Sequence, residues 1–395
     1  MELSSWSVSK INCILKKTFG LELIFKQLEN KTIVWFSNNN QYVVLENITA
    51  SILKKINENV YAEDIEKYVS LQLNVPIEQS CEFILDLKQR FFNNEESKEL
   101  EKPKDYSAVK IPKNLKYIKF YEINNVVFKV EFSNEFELLL IHPKFAHLEI
   151  NKKIYQHSFV VFSENNDFFL SVNNTIIKHW SENDIHYFQG KFSMEIIQII
   201  HKKTEDNWMG VFHASAIGNR DKSVLFLGDS GNGKSTSLAI LQANGFICMA
   251  DDFVPMDVTN QEVYNFPSAI SIKKNSVDAL LPMYPELAST SEFHFKRLNK
   301  VVRFIKPNNL NNIQSLPCNE LVFIKYKKGQ SLEFTEINKI DAFSKLVPDS
   351  WLSPKKENVN VFLDWFSKLN CYQLTYSDNV EMIQTVTKLF NNEFK

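Results

Sequence analysis

Glycine is scarce in this chain, with nine among 395 residues against a usual share of about 7%. Arginine is scarcer: of 45 basic residues only Arg90, Arg220, Arg297 and Arg303 carry a guanidinium. The five cysteines (Cys13, Cys81, Cys248, Cys318 and Cys371) are scattered, odd in number and never in a CxxC pair. That spacing speaks against a disulfide framework or a zinc site and for a reducing, cytoplasmic compartment. No apolar run approaches the roughly 18 residues that span a bilayer, and the N-terminus has no signal-peptide pattern, so no membrane is expected. A net charge of −2 lacks the concentrated basic face of a nucleic-acid binder, so no nucleic acid is expected either.

What is present is material for a core, with 44% hydrophobic and 23% charged residues, enough for two or three domains. Residues 1–93 read as a small α+β, winged-helix-like domain. Three short strands are expected at Leu21 to Leu28, Thr32 to Ser37 and Gln41 to Leu45, with Asn38 to Asn40 as a turn. Three helical patterns follow, marked by Ile48, Ile52, Leu53 and Ile56, then Ile65, Tyr68, Val69 and Leu73, then Ile77, Cys81, Ile84 and Leu85 after Pro76. Residues 94–107 are almost wholly polar and read as a linker. The second domain, 108–395, opens with a β-rich part to residue 200, expected to be mostly antiparallel and to include a strand over Phe136 to Ile141. From 201 onward strand and helix patterns alternate, predicting an α/β core; near the C-terminus Val359 to Leu369 reads as helix, Tyr372 to Tyr376 as strand and Val380 to Phe390 as helix. There is no internal repeat.

Three of the nine glycines fall within six residues. The apolar strand Ser223 to Leu227 runs into Gly228-Asp229-Ser230-Gly231-Asn232-Gly233-Lys234-Ser235 and then a helical stretch from Thr236. This is G-x-x-x-x-G-K-[ST] in its strand–loop–helix setting. Inward-turned backbone N–H groups can surround a polyanionic triphosphate, and glycines permit the tight turns this needs. Lys234 would place a charge on the β/γ-phosphates and Ser235 a hydroxyl on Mg²⁺.

After Gly245 a second apolar run, Phe246 to Ala250, ends in Asp251-Asp252. Carboxylates there are placed to hold Mg²⁺ or to accept a proton from an attacking hydroxyl, and two adjacent residues facing opposite sides would divide these tasks. Upstream, Val211 to Ile217 reaches the phosphate-loop strand through a turn at Gly218. A hairpin of this kind would set His213 on the neighbouring strand.

The stretch from Val211 to Asp252 resembles the core of the HPr kinase/phosphorylase family and its relatives, which share a P-loop fold with phosphoenolpyruvate carboxykinase. The resemblance rests on His213, the loop Gly228 to Ser235 and Ala250-Asp251-Asp252. It implies Mg-ATP-dependent phosphorylation of a serine hydroxyl, with ATP as the nucleotide, Asp251 as general base, Asp252 as a Mg²⁺ partner and His213 tuning the acid. Thr236 stands where those enzymes usually carry glutamate, so HPr itself is not implied as the substrate. Pro267 to Val277 resembles a proline-then-lysine segment of the same relatives, making Lys273 and Lys274 candidate phosphate contacts. Arg297 and Arg303 are candidates for bidentate phosphate contacts. The first ninety residues, on Asn47 to Leu53 and Glu63 to Tyr68, are similar to PqqD-like peptide-recognition domains. That implies a precursor or leader peptide as partner, added as a strand beside Gln41 to Leu45 and flanked by the helix from Ile77 to Phe91. A kinase of a free small molecule, a regulatory ATPase and self-association stay open.

Overall fold

The computed structural model describes residues 21–92, 106, 108–151, 154–295, 300–309 and 313–394. Its helices, in chain order, are α1 (Asn47–Asn57), α2 (Ala62–Leu73), α3 (Ile77–Phe91), α4 (Glu135–Phe145), α5 (Ile185–His201), α6 (Lys234–Ala243), α7 (Val277–Leu280), α8 (Lys339–Leu346), α9 (Lys356–Lys368) and α10 (Asn379–Phe390). The chain forms two compact units. One comprises 1–104 with 339–347 and 354–367; the other comprises 105–338 with 348–353 and 368–395. The sequence runs its second domain unbroken from 108, whereas two stretches of that range belong to the first unit.

In the first unit β1 (Leu23–Leu28), β2 (Lys31–Phe36) and β3 (Gln41–Glu46) form an antiparallel sheet in that order. The central strand Lys-Thr-Ile-Val-Trp-Phe is apolar without alternation because both its faces are covered. Val34 and Phe36 join a core with Ile52, Leu53 and Ile56 of α1, Ile65 and Val69 of α2, and Ile84 and Leu87 of α3. On the other face Trp35 lies opposite Tyr42, whose ring meets Phe343 of α8 and Phe362 of α9 edge-on. The Tyr42 hydroxyl is buried there without a hydrogen-bond partner, and burial pushes its pKa up. Tyr42→Phe removes an unsatisfied polar group and keeps the ring, so it is expected to raise stability by about 1 kcal/mol. Tyr42→Ala is expected to cost about 3 kcal/mol. Urea unfolding of both variants checks the opposite signs.

The second unit begins with a five-stranded sheet in the order β4 (Tyr117–Ile123), β5 (Val126–Phe132), β6 (His157–Glu164), β7 (Asp167–Val172), β8 (Thr175–Ser181). Its pairs are antiparallel except β5 with β6, which are parallel. A parallel pair needs a crossover, and α4 lies in it, where the sequence suggests a strand over Phe136 to Ile141. Local capping decides the outcome. The Asn134 side chain accepts from Glu137 N, and the buried Glu137 carboxylate accepts from the backbone N–H groups of Ser133 and Asn134, which starts a helix.

The large sheet contains β9 (Trp208–Phe212), β10 (Ser215–Gly218), β11 (Ser223–Leu227), β12 (Ile247–Asp251), β13 (Val254–Asp257) and β14 (Glu262–Tyr264). A small separate sheet follows, with β17 (Lys300–Ile305) between β15 (Ile270–Lys273) and β16 (Phe293–Phe295). Then β18 (Ser315–Tyr326), β19 (Glu333–Glu336), β20 (Trp351–Leu352) and β21 (Asn370–Tyr376) complete the large sheet. Its order is β12-β10-β11-β18-β14-β13-β9-β20, with β21 also beside β18 and β19 beside β21. Strands β11, β18 and β21 run parallel. Val224, Phe226, Val322, Ile324 and Leu374 share one core with Leu238 and Leu241 of α6 and Met382 and Val386 of α10. The fold is α/β, built from several sheets. No helix among the described residues is long and apolar enough to cross a membrane.

Candidate phosphate site

β11 is buried along its whole length and delivers the chain to a loop, 228–233, that ends as α6 begins. Gly228 has φ 137° and Gly233 φ 100°, both in the region that L side chains avoid. A Cβ on Gly228 would stand 2.8 Å from the Ile324 carbonyl oxygen, so the loop can lie against β18 only without a side chain there. Inside the loop Asn232 N donates to the Asp229 carbonyl at 3.1 Å, and the Asn232 carbonyl accepts from Tyr326 N at 3.0 Å. Ser237 Oγ donates to the Gly233 carbonyl at 2.9 Å and lies 2.8 Å from the Tyr376 hydroxyl, which pins the first turn of α6. The open N-terminal end of that helix favours an anion.

Lys234 is buried, and its ammonium donates back to the Gly228 carbonyl. Burial lowers its pKa, while the charges of Asp252, Asp251 and Asp349 act to raise it. Lys273, at the end of β15, reaches the loop and donates to Ser230 Oγ at 2.8 Å.

β12 supplies Asp251, which is 3% exposed. Its Oδ1 accepts from Ser215 Oγ at 2.6 Å and from Ser235 Oγ at 3.0 Å; its Oδ2 accepts from Ser271 N at 3.1 Å. Burial, with the neighbouring Asp252 charge, raises its pKa to about 6 against the pull of these hydrogen bonds. Asp252 leaves the strand with φ 62°. Phe212 lies opposite Val254 and Ser215 opposite Asp251, so the bend at His213-Ala214 faces the bend at Asp252-Phe253. Ser215 also lies opposite Phe226 near the end of β11. His213 is exposed, and it sits in the bend between β9 and β10 rather than within a strand.

The site is thus assembled from β9–β10, the loop and α6, β12 and the end of β15. Ser235 and Asp251 oxygens at hydrogen-bond distance, with Asp252 adjacent, are the hard donors Mg²⁺ takes when a nucleotide's phosphates supply the rest of its shell. Thr236 lies half-buried in the first turn of α6 and Lys274 is exposed just after Lys273. Arg303 is committed elsewhere, its guanidinium donating to the Leu287 carbonyl with Glu292 at 3.6 Å. Arg297 lies outside the described residues. Sequence reasoning passed over Ser215, Ser271, Ser237, Tyr376 and Asp349. Ser215 follows His213 by two positions, but only strand register shows that it meets Asp251.

No family model matches the chain, and no curated protein matches it. Among solved structures, one of the Hpr(Ser) kinase/phosphatase from Coxiella burnetii matches with 10% identity, over 47% of this chain and 96% of that one, at a TM-score of 0.23. A likeness that slight decides neither fold nor function.

Proposed function

We propose that this chain is a cytoplasmic, ATP- and Mg-dependent kinase that phosphorylates a serine hydroxyl on a ribosomally made precursor peptide recruited by the N-terminal unit. The observation that carries the reading is the bond between Ser235 of the phosphate loop and the buried Asp251, beside a lysine that faces the same loop. Mg²⁺, when bound, would offset the charge of the β- and γ-phosphates. In the transfer the serine oxygen forms a bond to the γ-phosphorus, the bond from that phosphorus to the bridging oxygen breaks, and ADP leaves with the electron pair. Lys234 stabilises the charge that gathers on the leaving side.

The proton of the serine hydroxyl needs an acceptor. The resemblance implies Asp251, but all its hydrogen-bonding runs to Ser215, Ser235 and Ser271. We therefore assign Asp251 to the metal side with Ser235 and the proton to Asp252, at the more open bend. For recruitment, the support is that β3 ends its sheet among the described residues, leaving an edge of the kind to which an extended peptide adds.

Incubation with Mg-ATP and candidate precursor peptides, read by intact mass, tests the reading. A gain of one phosphate on the peptide, lost with Asp252→Asn, supports it. Phosphate appearing on a small hydroxyl compound but on no peptide would remove the recruitment half. ATP hydrolysis without any acceptor would sink the kinase reading.

A further inference from the structure

β18 runs parallel to β11 on one side and to β21 on the other, and parallel sheets gather ligands beyond the carboxyl ends of their strands. Successive side chains of a strand alternate between its faces, so Val322, Ile324 and Tyr326 share one. Val322 and Ile324 are buried in the core with Leu238 and Leu241 of α6. Tyr326, the next on that face, is the last residue of β18 and is 47% exposed. The core stops there and the ring stands beyond it.

The phosphate loop lies directly against this tyrosine. Tyr326 N donates to the Asn232 carbonyl at 3.0 Å, and a Cβ on Gly233 would stand 3.4 Å from Tyr326 Cβ and 3.7 Å from the Tyr376 hydroxyl. Tyr326 and Tyr376 are opposite each other in register, with ring centroids 5.6 Å apart and planes at 73°. Tyr376 is itself fixed. It is buried, its hydroxyl lies 2.8 Å from Ser237 Oγ in the first turn of α6, and its carbonyl accepts from Lys327 N at 2.8 Å. One aromatic ring is thus braced by another and left half open to solvent beside the last glycine of the loop. The exposed residues around it include Lys325, Lys327 and Lys328 and, within 324–329, no carboxylate, so a polyanion meets no like charge in that segment.

Resting on the nucleotide half of the kinase reading, we propose that Tyr326 is the platform on which the nucleotide's base stacks while its phosphates occupy the loop. Every base has a π-face, so a ring can hold one without any hydrogen-bonding edge. A ring already braced loses little freedom on binding. The loop's backbone N–H groups and charge act on any polyphosphate alike. Tyr326 is then what separates a nucleotide from bare phosphate chains, and its hydroxyl is not needed for that.

The test is calorimetric titration of the full chain, in Mg²⁺, with ATP and with inorganic tripolyphosphate, which offers the phosphates alone. Tyr326→Ala is expected to weaken ATP binding about tenfold and to leave tripolyphosphate within about twofold of the parent. Tyr326→Phe should bind both as the parent does. Tyr326→Leu keeps bulk against Tyr376 without an aromatic face; it should lose ATP affinity selectively, and it decides the matter where alanine weakens both ligands. Unchanged ATP affinity in Tyr326→Ala, or a phenylalanine as weak as alanine, overturns the platform. Equal weakening of both ligands in Tyr326→Leu overturns it too, by making the ring a support of the loop. None of these outcomes touches the kinase reading, which rests on phosphate reaching an acceptor. A selective loss of ATP in a chain that phosphorylates nothing retains the platform and removes the kinase reading. A parent that binds neither ligand removes both.

Discussion

Lys234→Met is expected to lower kcat/KM for phosphoryl transfer by about 10³-fold. Lys234 brings a buried ammonium to the loop and holds the Gly228 carbonyl. Methionine keeps most of the volume and none of the charge. The fold should survive, because burial already disfavours the charged lysine; removing that ammonium takes away a desolvated group rather than a packing contact. A coupled ADP-release assay beside thermal unfolding separates the two effects. An unfolding midpoint close to the parent's with activity within threefold would remove Lys234 from the chemistry.

Asp251→Asn and Asp252→Asn are both expected to lower turnover by about 10²- to 10⁴-fold, and they should do so in different ways. Asp251→Asn puts an amide donor where Ser215 and Ser235 both donate, so its main symptom should be a raised Mg²⁺ requirement. Asp252→Asn should leave that requirement near the parent's and lower kcat at saturating Mg²⁺. If the two symptoms are interchanged, the assignment of proton and metal is reversed. The pH profile carries the same information. Ionised Asp251 is the useful form, and with its pKa raised to about 6 activity should fall as pH drops below that value. The stability effect has the opposite sense. A carboxyl whose pKa rises from 3.8 to about 6 on folding contributes stability below the unfolded value and loses it as pH rises to the folded one. The loss is roughly 3 kcal/mol for a shift of about two pKa units. Urea unfolding of the nucleotide-free protein should therefore show the parent losing ground to Asp251→Asn between pH 4 and pH 7.

The phosphate loop was legible because its chemistry is local. The glycines, the lysine and the strand before them are contiguous, and each is required by backbone conformation or charge at its own position. The three helices of residues 21–92 were legible for a similar reason, since Ile48, Ile52 and Ile56, then Ile65, Val69 and Leu73, recur at the helical period, and Asn38 to Asn40 marked the turn between two of the strands. The strand expected at Phe136 to Ile141 failed because a short, mostly apolar run fits a buried helix as well as a strand. The deciding interaction, Asn134 with Glu137, is a cap rather than a period. Ser215 and Asp349 were invisible for another reason. Ser215 meets Asp251 across 36 residues, and Asp349 lies just before β20, which pairs with β9 across some 140 residues. Register at that range depends on the whole sheet, and no local pattern encodes it.

The division of the chain between its two units has a consequence for dissection. The backbone changes unit after residues 104, 338, 347, 353 and 367, and the last four passages fall within thirty residues. An N-terminal piece ending near residue 106 would leave behind α8 and α9, and with them Phe343 and Phe362, which cover Tyr42. The remainder would keep those rings without the β3 strand whose Tyr42 they cover. Severing the polypeptide once is therefore expected to yield two fragments with exposed apolar surface rather than two independently folded units. The proposed recruitment and transfer are better uncoupled by point changes in an intact chain.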